Sequence, residues 1–483
     1  MCTCPPVKSR YLVISLLFIS CSLMSCSGGG ESTAANSSLF SGEGGAMGNS
    51  SALSAGALDG SFGSNGIVVN SHKPYNLAES VVVQPDGCIL VLDDSCDGKT
   101  SAFALIRYSN KGVLDQTFNN SGTVYGPFSS ANSLLLQSDG KILVAGEYYN
   151  GAVNNLCVIR YNQDGSIDTG FGSGGIVQTT SDNNEFGCKI AIQSDGKIIV
   201  AGNESIKGEN FPFLMRLNID GTFDTAFGAG TSDKTFLNPN GFFSSLTIGS
   251  NNEIFIATVN YSQEFIGLGF NILKFTCNGL TDSTFGNGGL ITDSLPVGEQ
   301  YVYDLVVQSD GKLIAALTVD NLHHGGVIVT TSLTSAILHL TASSASVSSG
   351  LSPWLNSSVG PGIALVRYQV DGTRDIEFGS EGAAMYTAGS GGVTATAVVI
   401  QSDGKFTLTG QDDNNTGGFA VMRLNSDGSI DRGFGVNGMV TTAIGVNGGV
   451  AYDLALQQKR YIVVVGTSYE QDGNYLALVR YHQ

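Results

Sequence analysis

The side chains best suited to chemistry are few and scattered in this sequence. Of the five histidines, His323, His324 and His339 share one uncharged stretch, whereas His72 and His482 stand apart. None falls into the HExxH spacing of a zinc hydrolase, and the chain has neither a GxSxG nucleophile motif nor a phosphate-cradling glycine loop. From these residues we predict no catalytic residue, no metal site and no cofactor.

The cysteines give no metal-binding pattern either, because no CxxC spacing occurs. Five cysteines lie beyond the first 26 residues, and an odd number cannot all pair within one chain. Two alternatives stay open at this point. Cys88 and Cys96 flank one predicted hairpin and could pair in an oxidising compartment, or the thiols are small buried apolar groups. The five are Cys88, Cys96, Cys157, Cys188 and Cys277.

An acid and a base stand close together in the pentapeptide QSDGK at residues 193–197, but the pentapeptide recurs. The same five residues stand at 137–141, 308–312 and 401–405, a near copy stands at 84–88, and two degenerate copies lie near 248–253 and 457–459. A catalytic site breaks the symmetry of a repeat, whereas this pair appears throughout. Because Asp-Gly suits a two-residue hairpin connection, we interpret each copy as a turn between two strands.

A cation and a following Asp and Phe also recur at fixed spacing, and we interpret them as structural. The cation ends the third strand of each unit and is expected to pair with the Asp of the next link, while the Phe packs between units. Members of this set are Arg107, Arg160, Arg216, Arg367, Arg423 and Arg480, with Asp59, Asp168, Phe171 and Phe227 among the link residues. An exposed pair of this kind would add only about 0–1 kcal/mol of stability.

The elements that carry these residues are short strands in a repeat of roughly 55 residues. In one clear copy the strands are 189–193, 197–202 and 213–217, and a short fourth strand follows the link. A four-stranded meander of this length is typical of a propeller blade, which must stack on its neighbours to bury both faces. Seven units occur, so we predict an all-β, seven-bladed β-propeller of four-stranded antiparallel blades.

The two ends of the chain predict how this ring closes. The last unit stops at Gln483 without its link and fourth strand, and residues 58–70 carry the missing pair of elements. We therefore expect the N-terminal strand, at about residues 66–70, to complete the last blade. The domain assignment that follows is a propeller at 57–483 with an insertion at about 321–362.

The motifs LDxxFG, QSDGK(I/L)xVAG, (F/I)AL(V/I)RY and DGxLD recur together from residue 57 to residue 483. This pattern resembles the delta-60 repeat family of bacterial secreted and lipid-anchored propeller-like proteins, and its strand order is similar to that of NHL-type propellers. Blade four departs most, since GSNNE at 249–253 replaces QSDGK and Lys274-Phe275 replaces Arg-Tyr. The resemblance implies fold and location, because the activity of that family is undefined.

The N-terminus has the pattern of an export signal with a lipid anchor. Lys8 and Arg10 precede a short apolar run, and LMSC at 23–26 resembles the bacterial lipobox. We predict a signal peptide at 1–25, lipidation at Cys26, a flexible Ser/Gly/Ala tether at 26–56 and an outer-membrane location. The alternative is an ordinary signal peptide in which the cysteine is incidental.

Candidate partner-binding residues lie in the loops that vary between units. Loop tyrosines suit adaptable recognition, and the insertion contains no charged residue between Asp320 and Arg367. Whether the insertion is ordered stays open. The candidates are Tyr148, Tyr149, Tyr261 and Tyr469 in the loops and His323, His324 and Trp354 in the insertion.

The net charge of −18 argues against a nucleic-acid partner, because phosphates repel an acidic surface. We therefore expect a non-enzymatic binding or scaffold module of the cell envelope, monomeric and attached to the membrane by its lipid alone, for a protein or polysaccharide partner. The alternative is a propeller hydrolase or lyase with an unrecognised site at the channel mouth, which would need an asymmetric cluster of ionisable groups there.

Overall fold

The structure is a computed structural model that describes residues 54–70, 76–96, 101–127, 130–228, 234–237, 241–261, 267–295, 299–320, 361–387, 392–412 and 417–483. Strands dominate these residues, and the helical content there is one 3₁₀ turn at Phe118–Asn120. Within the described ranges there is no helix long and apolar enough to span a membrane.

The strands group into seven sheets of four, in the order of the chain. The N-terminal strand is β1 (Ile67–Asn70). Blade one holds β2 (Asn76–Val83), β3 (Ile89–Cys96), β4 (Ser101–Tyr108) and β5 (Thr123–Tyr125). Blade two holds β6 (Ser130–Leu136), β7 (Ile142–Tyr149), β8 (Asn154–Tyr161) and β9 (Ile176–Gln178). Blade three holds β10 (Asn184–Ile192), β11 (Ile198–Ile206), β12 (Glu209–Leu217) and β13 (Thr235–Phe236).

The remaining four blades repeat this order. Blade four holds β14 (Phe242–Ile248), β15 (Ile254–Tyr261), β16 (Gly267–Phe275) and β17 (Leu290–Asp293). Blade five holds β18 (Glu299–Val307), β19 (Leu313–Asp320), β20 (Gly362–Tyr368) and β21 (Ala383–Thr387). Blade six holds β22 (Ala397–Ile400), β23 (Phe406–Gln411), β24 (Phe419–Leu424) and β25 (Met439–Thr442). Blade seven holds β26 (Gly449–Gln457), β27 (Tyr461–Tyr469) and β28 (Asn474–His482).

The ring closes through the N-terminal strand, as the sequence predicts. Strand β1 pairs antiparallel with β28 in the register Ile67↔Val479 to Asn70↔Leu476, and it is thus the fourth strand of blade seven. The first strand of each blade contacts the first strand of the next around the full circle, including β26 with β2. The predicted seven-bladed all-β propeller is therefore confirmed.

Each blade is apolar on both faces because it lies between two others. The buried side chains form clusters that combine consecutive blades, and the link phenylalanines are buried in them. Phe171 of blade two, for example, packs against Gly221 of blade three, where a Cβ atom would approach its ring to 2.9 Å. Gly221 also has a φ of +85°, so a side chain at this position would be strained as well as crowded.

The recurring cation ties each blade to the next. In blade two, Arg160 Nε lies 2.6 Å from Asp168 Oδ2, its guanidinium carbon lies 4.4 Å from the centre of the Phe171 ring, and Nη1 donates to the carbonyl of Ile219 in blade three. The same cation–aspartate pairing is present in all seven blades, with Lys274 in blade four. We call this arrangement the seam contact.

A backbone hydrogen bond accompanies each seam contact. The N–H at or just after the FG pair donates to a carbonyl in the following blade, with distances of 2.7–3.0 Å at all seven seams. At the seam between blades six and seven, Gly435 N donates to Ala55 O. Residues 54–56, which the sequence assigns to the tether, thus take the place of a turn that the last blade lacks.

We expect Arg160 and Asp168 to be coupled more strongly than an exposed ion pair. Their side chains are only 6% and 13% exposed, and Asp168 also pairs with Lys141, so removal of either partner leaves a poorly solvated charge at the seam. A double-mutant cycle of Arg160→Ala and Asp168→Ala in urea unfolding should give a coupling of about 1–3 kcal/mol. The pair Lys405–Asp403, 3.8 Å apart with Asp403 55% exposed, should give about zero and serves as the control. Equal coupling energies in the two cycles would contradict a stabilising role for the seam contact.

Candidate functional site: the central channel

The first strands of the seven blades line a central channel with two unlike ends. Turns between first and second strands, together with the links between third and fourth strands, lie at one end, which we call the turn rim. The loops between second and third strands, and those between blades, lie at the other end, which we call the loop rim. The topology of an antiparallel meander fixes this division, since successive connections alternate between the two ends.

A β-bulge interrupts most of the first strands and marks the part of the channel nearest the loop rim. In blade one the register shifts between Ala78 and Ser80, and in blade seven it shifts between Ala451 and Asp453. A bulge adds one residue and changes the direction of the neighbouring side chains. The residues at and just after the bulge therefore differ in orientation from the regular alternation further along the strand.

Four charged side chains at or just after the bulges break the symmetry of the ring. They are Glu79 in blade one, Lys189 in blade three, Asp304 in blade five and Asp453 in blade seven, and we call them the channel cluster. The charge of Lys189 acts on both Glu79 and Asp304, and Asp304 acts on Asp453. Blades that are not adjacent meet only across the channel, so these four groups share its interior.

Two of the four charged groups are fixed at blade seams. Asp453 Oδ2 accepts from Val81 N at 2.8 Å and from Ser80 Oγ at 2.9 Å, both in blade one. Asp304 Oδ2 accepts from Val398 N of blade six at 3.2 Å. Serines occupy the same place in blades two and four, where Ser133 Oγ accepts from Ile190 N and Ser245 Oγ accepts from Leu305 N.

Burial in the channel opposes ionisation of its acids. It raises the pKa of Glu79 to about 8, the nearby Asp94 adds to the shift, and Lys189 opposes it. Burial raises the pKa of Asp453 to about 6, against the hydrogen bonds from Val81 and Ser80. The pKa of Asp304 is also raised by burial, again with Lys189 in opposition. The channel thus contains carboxyl groups that titrate near neutral pH.

Two further acids lie behind the cluster, at the loop-rim ends of the second strands. Asp94 accepts the N–H of Ala131, and burial raises its pKa to about 6. Glu147 Oε1 accepts from Gly187 N at 3.0 Å, and burial raises its pKa to about 7. Each of these acids accepts a backbone N–H from the first strand of the following blade. Asn203 Oδ1 in blade three accepts the N–H of Phe243 in the same way.

Three buried polar atoms in this region have no hydrogen-bond partner among the described residues. Two are acceptors, Asp94 Oδ1 and Asn132 Oδ1, and Asn132 holds the same bulge position in blade two that Glu79 holds in blade one. One is a donor, Asn203 Nδ2, in blade three. A buried polar atom without a partner costs about 1–3 kcal/mol, and these three atoms have almost no accessible surface, so each lowers the stability of the fold.

Tyr452 and Tyr469 form the channel wall beside Glu79. Their hydroxyls are hydrogen-bonded to each other, and the charge of Glu79 acts on Tyr452. Tyr452 is at the bulge position of blade seven, and Tyr469 is the last residue of β27. Further toward the turn rim the half-buried positions are apolar and include Val82, Leu135 and Val306.

The sequence-predicted binding residues are dispersed by the structure. Tyr148 packs on the core between blades one and two, and Tyr149 is 55% exposed at the end of β7. Tyr261 ends β15, and its side chain lies outside the described residues. His323, His324, Trp354 and Cys26 also lie outside them. Of the tyrosine candidates whose side chains the structure describes, Tyr469 lies beside the channel cluster.

The described cysteines and acids give no sign of a metal centre or a disulfide. Cys88, Cys157, Cys188 and Cys277 are free thiols, and the side chain of Cys96 lies outside the described residues. Among the described residues no three His, Cys, Asp or Glu side chains are placed to hold one metal ion. The channel acids come from different blades and do not converge on a single point.

Sequence reasoning missed the channel cluster because it searched for asymmetry among the histidines. The available signal was the residue just after the bulge in each first strand. Blades one, two and four have Ser80, Ser133 and Ser245 there, whereas blades three, five and seven have Lys189, Asp304 and Asp453. An alignment of the seven units on the bulge would have exposed these positions.

Comparison with known protein families identifies one match. Residues 137–171, 193–227 and 401–434 match a family described as "Domain of unknown function (DUF5122) beta-propeller". The match supports a propeller repeat family, and each matched segment runs from the QSDGK turn to the link phenylalanine. No curated protein matches the chain.

Several solved structures resemble the chain at low identity. A protein of unknown function from Dyadobacter fermentans is 10% identical with a TM-score of 0.40, and the alignment covers 86% of this chain and 97% of that one. The polysaccharide lyase Uly1 is 8% identical with a TM-score of 0.44, covering 87% and 92%. The α-L-arabinofuranosidase Arb93A from Fusarium graminearum is 8% identical with a TM-score of 0.40, covering 89% and 96%.

We expect Glu79→Gln to stabilise the protein at high pH. Because the folded-state pKa of Glu79 is raised to about 8, the native state holds a proton that the unfolded chain releases at lower pH. Stability is therefore lost as pH rises from the unfolded pKa through about 8, and the uncharged amide of the variant avoids this loss. Urea unfolding at pH 5 and pH 9 should show the variant gaining roughly 2–4 kcal/mol over the wild type between the two pH values.

Glu209→Gln is the matched control for this experiment, because Glu209 is exposed at the loop rim. It should change the unfolding free energy by the same small amount at both pH values. A pH-independent difference for Glu79→Gln would show that the Glu79 carboxyl is solvated like an ordinary surface acid.

Proposed function

We propose that the protein is a saccharide-binding module of the cell envelope, whose ligand enters the channel from the loop rim. The observation that carries the proposal is the channel cluster, where charged groups from non-adjacent blades face one another inside a ring that is otherwise repetitive. The seam contacts use the recurring charges for structure, so the channel cluster is the asymmetric feature that a ligand could recognise.

The chemistry of the channel wall suits a polyhydroxylated ligand. The half-buried Glu79 carboxyl group and the Tyr452 and Tyr469 hydroxyls can form hydrogen bonds with sugar hydroxyls, which both donate and accept. Tyr452 and Tyr469 add an aromatic surface with a polar edge, which suits one face of a sugar ring. A protein partner at the loop tyrosines is the other class of ligand that the sequence suggests.

A second candidate function, a hydrolase or lyase acting at the channel, is favoured by one observation. Glu79 has a raised pKa and lies close enough to Asp453 of the adjacent blade for their charges to interact, and such a pair of unlike carboxyls can supply acid and base. However, both oxygens of Asp453 accept backbone N–H groups, from Val81 and Leu454, which suits a fixed acceptor better than a nucleophile.

Binding should depend on the channel tyrosines and not on the loop rim in general. We expect at least one of three hexasaccharides, of glucose, glucosamine or N-acetylglucosamine, to bind the purified full-length protein in titration calorimetry. Tyr469→Ala and Tyr452→Ala should weaken that binding at least tenfold. Tyr149→Ala is the matched control, because Tyr149 ends the second strand of blade two as Tyr469 ends that of blade seven.

Three outcomes would overturn this proposal. If none of the hexasaccharides binds, the ligand class is wrong, and if Tyr149→Ala weakens binding as much as Tyr469→Ala, the loop rim is the binding face. If the hexasaccharide is cleaved and Glu79→Gln abolishes cleavage, the hydrolase or lyase candidate replaces the binding module. Tyr469→Phe keeps the aromatic side chain and should retain the fold. It therefore shows whether the loss of binding in Tyr469→Ala comes from unfolding.

We also propose that the propeller belongs to the delta-60 type of repeat and is held at the outer membrane by lipid on Cys26. The support is the lipobox-like LMSC at 23–26 after a short apolar run. Cells labelled with an alkyne fatty acid should incorporate the label into the wild-type protein and not into Cys26→Ala, which should leave the membrane fraction. Cys21→Ala is the control and should keep both the label and the membrane association.

A further inference from the structure

We propose that Lys234 and Glu185 become joined by an isopeptide bond, a covalent cross-link that forms within the folded blade three. Lys234 directly precedes the fourth strand β13, and Glu185 is the second residue of the first strand β10. The two side chains meet at the seam with blade two, where a second acid, Glu204 of β11, contacts the same ammonium group. This inference is independent of the proposed saccharide binding.

The lysine and both acids are largely shielded from solvent. The side chain of Lys234 is 14% exposed, and those of Glu185 and Glu204 are 0% and 7% exposed. The Lys234 ammonium group also lies 4.8 Å from the centre of the Phe213 ring. Burial penalises charged groups, so an uncharged pair of an amine and a carboxylic acid is much closer in free energy to the ion pair here than it is in water. Only the uncharged pair can condense to an amide.

The two oxygens of Glu185 have different partners, and these partners suit attack by an amine. Oε1 contacts Lys234 Nζ, so the nitrogen and the carboxyl carbon are neighbours. Oε2 accepts from the backbone N–H of Leu156 at 2.8 Å and from the Thr179 hydroxyl. Two donors on one carboxyl oxygen act as an oxyanion hole, because they stabilise the negative charge that this oxygen gains during attack.

Glu204 is placed to move the protons of the reaction. Its Oε2 lies 2.8 Å from Lys234 Nζ, while its Oε1 accepts from Ser181 Oγ at 2.6 Å and from Asn183 Nδ2 at 2.9 Å. Burial raises the pKa of Glu204, but the hydrogen bonds from these three residues outweigh burial and hold the pKa below its usual range. Glu204 is thus a carboxylate within hydrogen-bond reach of the amine, which is the geometry that a general base requires.

The reaction balances within these three side chains. A proton passes from the Lys234 ammonium group to the Glu185 carboxylate, which leaves an amine beside a carboxylic acid. The nitrogen lone pair forms a bond to Cδ of Glu185, and the electrons of the C=O bond move to Oε2. Glu204 takes a proton from the nitrogen and delivers it to the Oε1 hydroxyl, whose bond to Cδ breaks, so that one water leaves and the C=O bond re-forms. Nothing is oxidised or reduced, and the fixed proximity of the groups favours this step over the same reaction in water.

The cross-link fastens the shortest fourth strand among the described residues. β13 has two residues, whereas the fourth strands of the other six blades have three to five. A bond from Lys234 to Glu185 joins the fourth strand of blade three to its first strand. It also closes a long loop of the chain, which lowers the conformational entropy of the unfolded state as a disulfide does.

The test compares the masses of the full-length protein and of its tryptic peptides with those of Lys234→Arg, which keeps the cation but forms no amide. The wild type should be lighter than the variant by one water more than the substitution itself accounts for. In the digest of the wild type, trypsin should not cleave after Lys234, and peptide 161–189 should be joined to peptide 217–274. Fragmentation of the joined peptides should place the bond between Lys234 and Glu185.

Glu204→Gln tests the transfer of protons. The amide has the size of the carboxylate but takes up no proton, and loss of a general base should slow the linkage at least about a hundredfold. The freshly purified variant should therefore contain no cross-link, while its circular dichroism spectrum stays that of the wild type.

The pair Lys274–Asp282 is the matched control within the same digest. Lys274 is only 7% exposed, but among the described acids it forms an ion pair with Asp282 alone. A second carboxylate to move the protons is therefore missing, and trypsin should cleave after Lys274 in every variant. A cross-link between Lys274 and Asp282 would show that a buried ion pair is sufficient and would contradict the role given to Glu204.

Three further results would overturn the inference. A wild-type protein without the loss of water would show that Lys234 and Glu185 form an ordinary ion pair. A loss of water that persists in Lys234→Arg would come from another site, such as a succinimide at an Asp-Gly turn. A bond from Lys234 to peptide 198–207, which contains Glu204, would show that Glu204 is the group that becomes linked and not the base.

Discussion

The ring depends above all on the seam contact between consecutive blades. One guanidinium pairs with an aspartate, covers a phenylalanine ring at 4.4–4.7 Å, and in five of the blades also donates to a carbonyl of the next blade. Arg suits this role because its planar group binds at its edge and stacks on its face at the same time. A blade is a small sheet with two apolar faces, so the seams decide whether seven such sheets behave as one body.

Closure of that body creates the channel and its electrostatics. Because the first strands meet around the full circle, side chains from blades one, three, five and seven come to share one narrow interior. The surrounding strands partly desolvate the acids, and this raises their pKa values. Along the chain the four residues Glu79, Lys189, Asp304 and Asp453 are far apart. Each is separated from the next by between 110 and 149 residues.

Much of the fold could be predicted from the sequence, and the channel cluster could not. The repeated Asp-Gly turn, the cation of the third strand and the link phenylalanine specify a blade, and the split of the last unit between the two termini specifies closure. The sequence pattern predicts that the first strand of blade three begins at residue 189, whereas β10 begins at Asn184. The bulge before Lys189 interrupts the alternation of apolar residues, so periodicity detects only the part of the strand beyond it. In the sequence, Lys189 therefore resembles the end of a strand and not part of a channel wall.

The same bulge explains how a symmetric scaffold can carry an asymmetric site. The position after it accepts a backbone N–H from the next blade in four of the blades, and a serine does so in blades two and four. An aspartate accepts the same bond in blades five and seven, so the charge enters the channel while the seam keeps its hydrogen bond. The type of residue at the bulge itself is less restricted. Glu79, Asn132 and Tyr452 stand there in three consecutive blades and differ in charge, polarity and size. The residue at the bulge can therefore vary while this seam hydrogen bond is kept, which is why Glu79 differs from its counterparts whereas the two aspartates have a structural role.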